Sequence, residues 1–136
     1  MSRRTFLTFA SFVACTIGVI AAVFPMTLLV DMKSAVPGDT GLVMARTAGV
    51  FLLSFGVLNF LARGDADSPT MTNLLLANAL LQVLILPVDP LAYAMGVYGS
   101  VMSFIPNTIL HVGLLFGFLY YWNASISRRN EYAGIG

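Results

Sequence analysis

This chain has little charge. Seven Lys and Arg and six Asp and Glu make only 10% of its 136 residues charged, where an ordinary soluble domain carries about 25%. A formal net charge of +1 supplies no basic footprint for nucleic acid, so no nucleic-acid partner is expected. Cysteine occurs once, at Cys15, which excludes an internal disulfide and a CxxC redox pair. Histidine also occurs once, at His111, so no His/Cys metal set can be completed and no metal or other cofactor is expected. No Pro/Gly-rich linker or low-complexity tail divides the chain, and residues 1–136 read as one domain. There is no repeated filter or charged pore sequence of the kind a channel needs.

What fills the chain is apolar. Hydrophobic residues reach 58% and the mean hydropathy is +0.87. The runs predict an all-α polytopic membrane protein, a four-helix bundle with spans at 6–30, 42–62, 70–86 and 105–122. The first run exceeds the roughly 30 Å hydrocarbon core at 1.5 Å per residue, and Pro25 predicts a bend in its last turns. Pro37-Gly38 marks the first polar loop. Ser68 followed by Pro69 reads as a cap and first position for the third helix. The stretch from Pro90 to Trp122 would make a helix of about 50 Å, too long for one crossing. It is read as a short outer interfacial helix over 90–102, a bend near Pro106 and the last span; one long kinked helix is the alternative. Gly96 and Gly99 weaken any rigid helix there.

An even number of crossings puts Arg3, Arg4, Arg63, Arg128 and Arg129 on one side. The positive-inside rule makes that side the cytoplasm, with both termini, in a bacterial inner membrane. Tyr120, Tyr121 and Trp122 would form an aromatic belt at that face. Ser2-Arg3-Arg4-Thr5-Phe6-Leu7 looks like a twin-arginine export signal, but the run that follows is too long and apolar for a cleaved signal. Phe12-Val13-Ala14-Cys15 is a poor lipoprotein box, and a packed, inert cysteine is expected.

Three polar residues lie at one expected depth. Arg46 sits about one turn inside the outer end of the second helix, Gln82 about one turn from the outer end of the third, and His111 about two turns into the fourth. Arg46 would snorkel or pair with Asp31 or Asp39, or hold an anionic head group or substrate. His111 could exchange a proton near neutral pH, and Gln82 could orient a ligand. Asn78 shares the face of Gln82, Asn107 shares that of His111, and Asp89 joins if the segment after Pro87 folds inward. A hydrogen bond across the bundle explains such residues equally well, and no catalytic residue is assigned. Asn59, Asn73 and Asn123 read as caps and interhelical amide contacts nearer the cytoplasm.

Small residues mark packing faces: Ala14, Gly18 and Ala22 in the first helix, Gly113 and Gly117 in the last. Either could lie inside the bundle or form a homo-oligomer.

The four-helix pattern, with Arg46-Thr47-Ala48-Gly49 followed by Gly56, resembles the small bacterial membrane proteins of the DoxX-like group and its Arg-x-x-Gly opening of the second helix. The resemblance implies association with membrane respiratory or sulfur-redox assemblies. Two function classes compete. The leading expectation is an accessory or assembly subunit with a protein partner. The other is a transporter component, lipid-binding protein or membrane enzyme, with an anionic lipid or quinone-like ligand at the outer polar layer.

Overall fold

The computed structural model describes residues 1–132, with side chains through Arg128; the side chain of Arg129, counted above for topology, lies outside the described residues. Those residues form an all-α fold with five α-helices. They make four segments long and apolar enough to cross a membrane.

α1 runs Arg3–Val23, with the Ser2 hydroxyl accepting from the Thr5 amide at 3.1 Å. The expected first span does not remain one helix. The Pro25 ring cannot donate a backbone hydrogen bond and crowds the preceding turn, so α1 stops at Val23 and the chain resumes as a π-helical turn, Thr27–Met32. Ser34, at φ +52°, then reverses the chain. α2 spans Asp39–Ala62, starting one turn earlier than its apolar run because Asp39 in the first turn suits the positive helix end. α3 spans Pro69–Ile85; Ser68 accepts from the Met71 amide at 3.1 Å and Pro69 opens the helix, as expected.

α4, Val88–Ala94, departs from the expected helix over 90–102. It begins before Pro90, whose missing N–H falls in the first turn where no intrahelical partner exists. It ends at Gly96, which adopts φ +75°. There the Val97 amide donates to Ala92 O and the Gly96 amide to Tyr93 O, both at 2.9 Å, a Schellman closure. A loop and a single 3-10 turn, Val101–Ser103, lead into α5, Ile105–Tyr132. The segment thus holds a short helix, over 88–94 rather than 90–102, and the loop that follows separates it from α5, against the alternative of one long kinked helix.

The helices associate as two tight pairs, α1 with α2 and α3 with α5. Glycine creates the first. A Cβ on Gly49 would lie 2.5 Å from Ala22 N, and one on Gly18 would lie 2.7 Å from Leu53 N, so the backbones themselves are in contact. The Gly18 and Ala22 face is therefore used within the chain, while Ala14 turns toward the gap between the pairs. Gly117 faces the Phe6 ring, whereas nothing lies within 4 Å of a Cβ on Gly113.

The apolar core joins the two pairs at one end. Phe6 packs edge-on against Phe118, ring centroids 4.9 Å apart, above Leu7, Leu75 and Met71. Tyr121 belongs to this core rather than to an aromatic belt: it is 8% exposed and its hydroxyl donates to Met1 O, while Tyr120 faces outward. Asp67 secures that end, binding Arg3 and, at 2.8 Å, the Arg128 Nε. Toward the opposite end the pairs diverge and leave a cavity.

Candidate functional site

The cavity has a volume of about 420 Å³, within the 300–1,000 Å³ common for small-molecule sites. Apolar side chains of α1, α2 and α3 make its walls, and Phe118 and Ala10 lie at its floor. Met44 and Val88, both exposed, are among the residues that line it. Its polar groups come from α2, α3, α4 and α5 and from the loops that hold Lys33 and Tyr98.

Asp89 is the centre of the first polar cluster. Its carboxylate accepts from the Lys33 ammonium, from Tyr98 OH at 2.9 Å and from Asn107 Nδ2 at 2.7 Å. Three donors converging on two oxygens require the ionised, acceptor-only form. Lys33 also lies over the Tyr98 ring, 5.3 Å from its centroid. Burial and the neighbouring carboxylate push the Tyr98 hydroxyl above its ordinary range, which keeps it a donor. Lys33 and Asp89 come from opposite pairs, so this cluster ties the mouth of the cavity together.

One turn deeper, His111 Nδ1 and Gln82 Oε1 are 2.6 Å apart. The amide oxygen can only accept, so Nδ1 carries the proton and Nε2 is left as an acceptor. Neither His111 Nε2 nor Gln82 Nε2 has a hydrogen-bond partner among the described residues, and neither is sealed from its surroundings. Both residues line the cavity. Two residues that line it thus keep one free acceptor and one free donor between them.

Below this pair, Asn59 and Asn78 bond reciprocally, amide to amide, at 2.9 and 3.0 Å. Both are buried and they join α2 to α3. Removing one partner strands the other, while removing both strands neither. Asn59→Leu and Asn78→Leu are each expected to cost about 1–2 kcal/mol, and the double variant less than the sum. Steric-trap unfolding in bicelles would measure this; strict additivity would show that the pair does not bond.

The structure brings Gln82, His111, Asn78, Asn107 and Asp89 to one cavity. Arg46 does not join them. Ala45, Gly49 and Gly56 form the buried face of α2, and Arg46 points outward, exposed and without a side-chain hydrogen bond or ion pair among the described residues. Depth along the chain put Arg46 level with His111, but rotation about the α2 axis takes it away. Three residues that sequence reasoning did not bring to this layer belong here: Lys33, Tyr98 and Asn59. Lys33 carried a legible signal as the lone cation of its loop, and an aspartate ending an apolar run was its natural partner. Asn73 and Asn123 are exposed.

Among the described residues no group of three or more His, Cys, Asp or Glu could hold a metal ion. Cys15 packs against Gly56 of α2. No protein-family model, curated protein or solved structure matches this chain.

Proposed function

We propose that this protein is an integral membrane protein that binds a small amphipathic molecule between its two helix pairs. A lipid or quinone-like ligand would lay its apolar part along the α1–α2 wall and its polar head against His111 and Gln82. One observation carries this reading: a cavity with mostly apolar walls, lined by two residues that keep a free acceptor and a free donor. The four apolar segments support insertion, and the grouping of Arg3, Arg63 and Arg128 at one end supports a cytoplasmic position for both termini.

Membership of the DoxX-like group is part of the proposal and rests on the Arg46–Gly49–Gly56 pattern. The glycines of that pattern are the ones that bring α2 onto α1. A second reading, an accessory subunit, draws on a shallow apolar groove between α1 and α5 in which Gly113 is uncovered.

Native mass spectrometry of the protein released from lipid nanodiscs tests both. The ligand reading expects one retained small molecule, lost in His111→Phe and Gln82→Leu and kept in Arg46→Ala. Retention in both cavity variants would overturn the site, and a stoichiometric protein partner with no small molecule would favour the accessory subunit.

A further inference from the structure

The ligand class can be narrowed from the charge balance of the cavity, provided the reading above holds. Of the residues lining it, Lys33 is the one cation and Asp89 the one anion, and they bind each other. Both are largely buried, with side chains 11% and 13% exposed. Tyr98 and Asn107 take two more of the carboxylate's acceptor positions. Arg46, the cation that sequence depth suggested for an anionic head, faces away. A phosphate or carboxylate entering this cavity would give up its hydration and, with the His111 imidazole neutral, find no uncommitted positive charge, while facing the Asp89 carboxylate. A cationic head would meet Lys33 for the same reason.

An uncharged head meets neither obstacle. His111 Nε2 can accept from a hydroxyl, and Gln82 Nε2 can donate to a carbonyl, ether or hydroxyl oxygen. We infer that the cavity selects a neutral amphiphile whose head carries both a hydroxyl and an oxygen acceptor, held by His111 and Gln82, and rejects anionic lipids of the same chain length. The Lys33–Asp89 pair is then the selectivity element: it closes the mouth and removes the charge an anion would need.

The test uses three probes sharing one acyl chain: monooleoylglycerol, oleoyl lysophosphatidate and methyl oleate, which keeps the acceptor and lacks the donor. Binding to the full-length protein in nanodiscs is read by native mass spectrometry. Monooleoylglycerol should bind at least about tenfold more tightly than either of the others. His111→Phe should lower its affinity to that of methyl oleate and leave methyl oleate unchanged. Asp89→Asn, which keeps an oxygen acceptor for Tyr98 and frees the Lys33 charge, should raise lysophosphatidate binding about tenfold. Equal binding of lysophosphatidate and monooleoylglycerol to the unaltered protein would overturn this inference alone, and that comparison decides it even where a variant fails to fold. Failure of all three probes to bind would overturn the cavity reading with it.

Discussion

Asp89→Ala should destabilise the folded protein by about 3–5 kcal/mol, the usual cost of removing one partner from a buried ion pair. The alanine would leave the Lys33 ammonium without its counter-ion, and Tyr98 and Asn107 without their acceptor. It would also cut the link that holds the α1–α2 pair to α4 at the mouth of the cavity. The companion variant Lys33→Met/Asp89→Leu removes both charges and should recover the part of the loss that comes from the unpaired ammonium, while Tyr98 and Asn107 still lack their acceptor. Reversible unfolding in bicelles, run as a double-mutant cycle, measures the coupling. A cost below about 1 kcal/mol for Asp89→Ala, as for an exposed ion pair, would show that water reaches the cluster freely.

The second large effect concerns Gly49. A methyl group there would lie 2.5 Å from Ala22 N and 2.8 Å from Gly18 O. Both neighbours are backbone, so no side chain can yield and α1 must move off α2. Gly49→Ala is expected to cost about 1–3 kcal/mol, toward the upper end, and leucine at the same position more. Gly113→Ala provides the contrast, since nothing lies within 4 Å of the added methyl. It should be neutral or stabilising by up to about 1 kcal/mol, because alanine suits a helix better than glycine. Equal effects at the two positions would contradict the packing described for α1 and α2. The comparison has a second use: Gly113→Ala that leaves the monomer stable but breaks an assembly would place a partner on that face.

The helices were legible because hydropathy and punctuation agree. Ser68-Pro69 fixes the start of α3, and Gly96, already suspect in the sequence, ends α4. Pro25 predicted a bend, and the structure shows a stop followed by a π-helical turn. The candidate site was legible by depth: Gln82 and His111 do meet, and Asn107 and His111 share a face of α5. Azimuth was not legible. The second helix is apolar nearly all round, so no polar stripe says which side faces inward, and the orientation of Arg46 is decided by where the glycines of α2 find α1. Relative height was not legible either. Asn59 lies one turn from the end of α2 and Asn78 in the middle of α3, yet they bond, because the two helices are offset along their axes.

The claim on which the account turns is that a ligand occupies the space between the two pairs. An aliphatic probe carrying a diazirine, photolysed with the protein in nanodiscs and mapped by peptide mass spectrometry, addresses it directly. Lipid contact alone labels outward residues such as Phe51 and Leu84, which are 63% and 64% exposed. Occupancy of the cavity should add labels on Leu52 and Leu81, and a bulky Ala14→Phe substitution within the gap should remove those labels alone. Labelling confined to the outward faces, unchanged by that substitution, would contradict the account.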